Sequence, residues 1–114
     1  MLPLRRIAGT LMLASTVTHL SEPFIFPLSL PLVVATLYGL GFCVIGIFLF
    51  REGTTVLWWG AILPLSAAFL GTGNAVLQGT MHPITRWHLF VDLVVGPICI
   101  YLLRKQRTGS ARVA

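Results

Sequence analysis

Charged residues, and acidic ones above all, are scarce in this chain. Only three of the 114 residues are Asp or Glu, and charged residues make up 10% of the sequence. Soluble domains carry about 25% charged residues, so an ordinary soluble domain is excluded. Cysteine is also rare, at two residues. Cys43 and Cys99 both fall inside apolar stretches, where a free cysteine packs as a small apolar residue, and we expect no disulfide between them.

Long apolar runs are present instead. Hydrophobic residues make up 56% of the chain, and the mean hydropathy is +0.90. A membrane-spanning helix needs roughly 20 apolar residues, and four segments qualify, at 4–20, 31–50, 55–78 and 87–103. The sequence therefore predicts an all-α integral membrane protein, in which residues 1–114 form a single four-helix transmembrane bundle.

The first apolar stretch has a second interpretation, as a cleavable signal peptide. Residues 1–21 offer a basic start and an apolar core, but they lack a small-x-small cleavage site. We therefore expect this segment to remain as the first span, because four helices bury one another better than three.

The basic residues are distributed unequally between the two sides of such a bundle. If there are four spans, Arg86 lies alone on one side, and seven of the eight basic residues lie on the other: Arg5, Arg6, Arg51, Arg104, Lys105, Arg107 and Arg112. This pattern predicts that both termini are cytoplasmic, with the plasma membrane as the expected location. A net charge of +5 placed in this way indicates the lipid bilayer as a partner, and no nucleic acid is expected.

Polar residues of the spans gather at one depth, and Asp92 is the most informative of them. At a helical rise of about 1.5 Å per residue, His19 and Asp92 lie roughly 21 and 18 Å from the basic anchors of their own helices. An ionisable group at membrane depth costs a few kcal/mol, so it is usually paired and functional. The polar residues expected at this level or just beyond it, on the outer side, are His19, Glu22, Asn74, Gln78, His82, Arg86, His88 and Asp92.

His88 and Asp92 are four residues apart and therefore share one helix face. In one interpretation both are ligands of a transition metal, completed by His19, Glu22 or His82. In another, Asp92 accepts a hydrogen bond from one ring nitrogen of His88 and leaves the other nitrogen for a substrate, a proton or a haem iron.

A structural interpretation stands beside these two. Asp92 would then pair with His88, Asn74 or Arg86 in an internal network that only fixes the register of the helices.

The stretch from His82 through Arg86 to His88-Leu89-Phe90-Val91-Asp92 resembles the haem-and-quinone helix of succinate dehydrogenase membrane anchors, in which a histidine precedes an Arg-His-Leu-x-x-Asp element. The resemblance covers about ten residues and implies a haem or a quinone ligand at His88. Trp87 interrupts the motif, and four spans differ from the three of that family. The general layout is also similar to small four-helix membrane proteins of the DoxX type. Neither resemblance assigns the chain to a family.

Three functions follow as hypotheses. The first is an outward-facing pocket that binds or transforms a small lipophilic ligand, or holds a metal. The second is an accessory or haem/quinone-anchor subunit of a larger membrane complex, and a homo-oligomer is also compatible with the sequence. The third is a small proton-coupled transporter. For the first hypothesis we assign His88 and Asp92 as the catalytic pair, and the ligand-binding residues would be His19, Glu22, Asn74, Gln78 and Arg86.

Overall fold

The computed structural model describes the backbone of residues 2–113 and the side chains of residues 3–107. Within residues 2–113 the fold is all-α and contains no strand, as predicted. The elements are α1 (Leu2–Ser21), a 3₁₀ turn (Glu22–Phe24), α2 (Leu30–Leu49), α3 (Thr55–Gln78) and α4 (Pro83–Val113).

Three of the helices are long and apolar enough to cross a membrane. They are Leu30–Leu49, Thr55–Gln78 and the Pro83–Arg107 part of α4, judged over the described residues. Their outward faces carry large apolar side chains, such as Leu37, Leu40 and Val44 on α2, all exposed. A soluble monomer rarely exposes contiguous apolar surface of this kind.

The four helices form a ring in which each contacts two neighbours. α1 packs on α2 and α4, and α3 packs on the same two helices from the opposite side. The buried core runs through the centre and includes Met12, Phe42, Leu57, Val95 and Cys99. The long dimension of the bundle is 53 Å and the other two are 24 and 19 Å. We call the end with the α1–α2 and α3–α4 connections the histidine end, and the opposite end, near Arg5, the arginine end.

Glycine residues allow close helix contact at several positions. A Cβ added at Gly39 would lie 2.6 Å from the Cβ of His19, and one at Gly60 would lie 2.6 Å from the sulfur of Cys99. These distances are too short for any side chain, so glycine sets the spacing between the helices. Gly71 behaves differently, because a Cβ there would meet nothing within 4 Å. Gly71 and residues of α2 line a cavity at the histidine end, so the seam between α2 and α3 is open there.

The arginine end is held together by one buried side chain. Arg5 is 7% exposed, and its guanidinium donates hydrogen bonds to the carbonyls of Leu49 (3.2 Å), Gly53 (3.1 Å) and Arg51. A cation at the carboxyl end of α2 also complements the helix dipole. The sequence predicted Arg5 as a basic anchor and a topology signal, and in the structure its contacts also join α1 to the α2–α3 turn.

Helix α4 begins earlier than the predicted span at residue 87. Its first residue is Pro83, a favoured first position of a helix. The ring nitrogen Nδ1 of His82 accepts a hydrogen bond from the backbone N–H of Ile84 at 3.1 Å and caps the helix. His88 therefore lies more than one turn inside α4, on a rigid part of the bundle.

Candidate metal centre

Three buried side chains converge at the histidine end. They are His19 in the last turn of α1, Glu22 in the 3₁₀ turn and His88 on α4, and they are 5%, 8% and 7% exposed. One ligand atom from each lies within 4.8 Å of the other two. The 3₁₀ turn continues directly from α1, so His19 and Glu22, three residues apart, remain on one face. We call these residues the His–Glu cluster.

The two imidazole rings of the cluster lie face to face. Their centroids are 3.7 Å apart and their planes differ by 11°. The ring of Phe42 meets His19 edge-on at 5.3 Å, and Gly39 leaves the space in which His19 approaches α2. This packing fixes the plane of His19, so its nitrogens have few alternative directions.

Both ring nitrogens of His88 have partners. Nδ1 is 3.3 Å from Oε1 of Glu22, and Nε2 is 2.7 Å from Oγ1 of Thr18. The same Thr18 oxygen accepts a hydrogen bond from Nε1 of Trp87 at 3.2 Å and donates to the carbonyl of Ser15 at 2.9 Å. Thr18 therefore orients His88 from the side opposite Glu22.

The single proton of the Thr18 hydroxyl decides the tautomer of His88. When Thr18 donates to Ser15, Nε2 of His88 must carry the proton and donate to Thr18. The lone pair of Nδ1 then faces the Glu22 carboxylate, and two acceptors at 3.3 Å require a proton or a cation between them. When Thr18 donates to His88 instead, Nδ1 carries the proton and donates to Glu22. The first arrangement prepares Nδ1 and Glu22 as two ligands of one cation.

His19 has no hydrogen-bond partner at either ring nitrogen within the described part of the chain, although both nitrogens are buried. A buried polar group without a partner costs roughly 1–3 kcal/mol. A neutral imidazole offers one acceptor and one donor. The acceptor nitrogen of His19 is thus available to a cation held by the other two members of the cluster.

Burial raises the pKa of the Glu22 carboxyl above its ordinary value of 4.5. The low-dielectric surroundings disfavour the carboxylate form, and a bound cation would reverse that preference.

A cavity of about 430 Å³ adjoins the cluster. It lies in the open part of the α2–α3 seam, and all three members of the His–Glu cluster form part of its wall. The remaining wall is largely apolar, with Leu32 and Leu70 among its residues, and the amides of Asn74 and Gln78 lie at the exposed side. A volume of this size is typical of small-molecule sites.

Most of the residues selected from the sequence lie around this cavity. Those that line it are His19, Glu22, Asn74, Gln78, His82 and His88. His82 is exposed, packs edge-on against Phe26 at 4.9 Å and is not part of the cluster. Arg86 is exposed and does not line the cavity.

Asp92 occupies a different position from the one expected. It is 2% exposed, but within the described residues it belongs neither to the cluster nor to the cavity wall. The expected hydrogen bond between Asp92 and His88 is not found among the described contacts, because Glu22 and Thr18 face the two nitrogens of His88. The carboxylate of the predicted metal set is accordingly Glu22.

Thr18 and Trp87, which bond each other and contact His88 through Thr18, were not among the predicted site residues. The signal for Thr18 was the density of small polar residues in the outer half of α1, where Ser15, Thr16 and Thr18 precede His19. Such residues, in an otherwise apolar helix, are favoured where they can hydrogen-bond to a neighbouring helix.

Comparison of the chain with protein-family models, with curated proteins and with solved structures finds no match. A function for this chain is therefore inferred from the geometry of the site.

Proposed function

We propose that this chain is a membrane protein that holds one transition-metal ion at the His–Glu cluster and presents it to a small lipophilic ligand in the adjoining cavity. The observation that carries the proposal is the convergence of His19, Glu22 and His88, with ligand atoms within 4.8 Å of one another and with both nitrogens of His19 buried and unpartnered. Such a constellation is costly without an occupant.

The ligand set favours zinc or ferrous iron. Two imidazoles and one carboxylate, with a further position open, are the donors of catalytic zinc sites and of non-haem iron sites. Neither Cys43 nor Cys99 belongs to the cluster, so a thiolate-rich site is not favoured. Two histidines that bind one haem lie on opposite faces of the macrocycle, and rings stacked 3.7 Å apart leave no space for it between them.

The cavity supplies the space for a ligand of that metal. Its apolar wall would hold a lipophilic body, and the metal would bind and polarise an oxygen atom of the ligand. The amides of Asn74 and Gln78 lie at the exposed side of the cavity, where they would contact a second polar group of the ligand.

We further propose that α1 is a fourth membrane span. Its 20 residues correspond to a length of about 30 Å, the thickness of a hydrocarbon core. The polar side chains Ser15, Thr16 and His19 are buried inside the bundle, whereas Val17 and Leu20 are exposed. With four spans, the distribution of basic residues favours cytoplasmic termini and a cluster near the outer surface of the plasma membrane.

Metal analysis of the protein purified in mild detergent tests the proposal. We expect one zinc or iron ion per chain in the wild type, and less than a tenth of that in His19→Ala and His88→Ala. His82→Asn is the matched control, because it changes a histidine of the same cavity outside the cluster and retains a side chain that caps α4. Metal content equal in all variants, or a wild type that binds no added Zn²⁺, would refute the proposal.

A further inference from the structure

The buried polar atoms without partners belong to three residues of α1 and α4. Four such side-chain atoms occur in the part of the chain whose side chains are described: Oγ of Ser15, Nδ1 and Nε2 of His19, and Oδ1 of Asp92. Their residues are 0%, 5% and 2% exposed. Native interiors leave few polar groups unpaired, so a group of this kind requires a specific explanation.

The register of α1 and α4 places Ser15 and Asp92 at one depth in the bundle, just below His19. The start of α4 meets the end of α1 through the stacked rings of His88 and His19. Gln106, near the other end of α4, bonds Thr54 in the turn that Arg5 contacts, so the two helices are antiparallel. Ser15 lies four residues before His19, and Asp92 lies four residues after His88. Both therefore lie about 6 Å, one helical turn, deeper than the cluster.

The donors and acceptors of this group are complementary. Both nitrogens of His88 already face Glu22 and Thr18, so Asp92 has no role there. His19 has two unused nitrogens, and only one can bind a metal. The other must carry a proton, and unpartnered oxygen atoms of Asp92 and Ser15 lie one helical turn deeper.

We infer that Asp92 is the positioning carboxylate of His19: when the metal binds, it accepts the N–H of the His19 nitrogen that does not coordinate, and the Ser15 hydroxyl donates to the same carboxylate. This inference rests on the proposed metal function. A carboxylate behind a metal-bound histidine fixes its ring orientation and raises its basicity, and loss of such a partner costs roughly 10–100-fold in metal affinity.

The test is a titration with Zn²⁺, and with Co²⁺ as a spectroscopic probe, of the full-length wild type, Asp92→Asn and Asp92→Leu in mild detergent. We expect affinity to fall by roughly 10–100-fold in Asp92→Leu and by less in Asp92→Asn, whose amide oxygen still accepts a hydrogen bond. The number of ions bound should not change. The Co²⁺ absorption bands should shift in both variants, because the orientation and basicity of His19 change.

Metal-free stability separates a positioning role from a structural one. We expect both variants to unfold, without metal, at temperatures no lower than the wild type, because Asp92 has an unpartnered oxygen in that state. Affinities that equal the wild-type value would overturn the inference but leave the metal site intact. A wild type that binds no Zn²⁺ would instead refute the proposed function.

A measurement on the wild type covers the case in which neither variant folds. In the zinc-loaded protein, proton NMR of the histidine rings should show a slowly exchanging N–H of His19, shifted downfield by its hydrogen bond. Rapid exchange of that proton would overturn the inference.

Discussion

The two ends of the bundle differ in whether their buried polar atoms have hydrogen-bond partners. At the arginine end, Arg5 is 7% exposed and donates to three backbone carbonyls. At the histidine end, His19 and Asp92 are equally buried, yet three of their ring and carboxylate atoms have no partner among the described residues. A satisfied polar group of this kind stabilises the fold. A buried polar group without a partner lowers stability. Such a group at the histidine end suggests a partner that comes from outside the chain.

Removal of Arg5 should have the largest effect on stability. Arg5→Ala leaves three carbonyls without their charged donor, and a hydrogen bond to a charged group contributes about 1.5–3 kcal/mol. We expect a loss of about 3 kcal/mol or more in the free energy of unfolding, measured in mild detergent. Arg6→Ala is the matched control, since Arg6 is the exposed neighbour. Similar losses in the two variants would show that charge, and not the bonding of Arg5, stabilises this end.

Addition of a metal should give the unpartnered groups of the histidine end a partner and so raise the stability of the protein. At Zn²⁺ concentrations 100-fold above the dissociation constant, binding to the folded state alone stabilises a protein by about 2.7 kcal/mol. We expect that gain in the wild type and in Arg5→Ala, because the arginine end is remote from the cluster. His19→Ala should show no gain. A gain that persists in His19→Ala would place the bound ion elsewhere in the chain.

The Thr18 hydroxyl bonds both the backbone carbonyl of Ser15 and the side chain of the proposed metal ligand His88. Thr18→Val leaves Nε2 of His88 and Nε1 of Trp87 without their shared partner. We expect about 1–2 kcal/mol lower stability without metal and about 10-fold weaker Zn²⁺ binding.

The control for this variant lies in the same helix. Among the described side chains, the hydroxyl of Thr16 donates to the carbonyl of Met12, within α1, so Thr16→Val should leave Zn²⁺ affinity unchanged. Equal affinities in Thr16→Val and Thr18→Val would contradict a role of Thr18 in orienting His88.

The sequence predicted α2 and α3 well for a simple reason. Residues 31–50 and 55–78 are apolar runs interrupted only by the charged turn, and the helices observed are Leu30–Leu49 and Thr55–Gln78. The start of α4 was predicted too late. Thr85 and Arg86 interrupt the apolar run but are compatible with a helix, so hydropathy marked the start of a span and not the start of a helix.

The sequence predicted how deep the site residues lie along the bundle, but not how each helix is rotated about its axis. Counting residues along each helix placed His19 and His88 at one level, which requires only the helical rise. Which carboxylate faces His88 depends on how the helices rotate against one another and on the 3₁₀ turn that carries Glu22 inward. Pro23 directly after α1 is typical of a helix end, so the sequence there gives no sign of that turn.

The smallest predicted effect is a pH dependence at the histidine end. Because burial raises the pKa of Glu22, the folded state binds its proton more tightly than the unfolded state. The stabilising contribution is complete below the unfolded pKa and is lost as pH rises through the raised folded value.

The titratable groups that face Glu22 are His19 and His88, with His82 in the same cavity wall. Their contributions are common to the wild type and Glu22→Gln, so they cancel to first order in a comparison of the two. In metal-free buffer between about pH 4 and 7, a range that includes the ordinary pKa of Glu, we expect the unfolding temperature of the wild type to fall relative to that of Glu22→Gln as pH rises. With saturating Zn²⁺ the sign should reverse, since protons then compete with the metal for the carboxylate. Parallel curves for the two proteins in both conditions would show that Glu22 does not belong to the site.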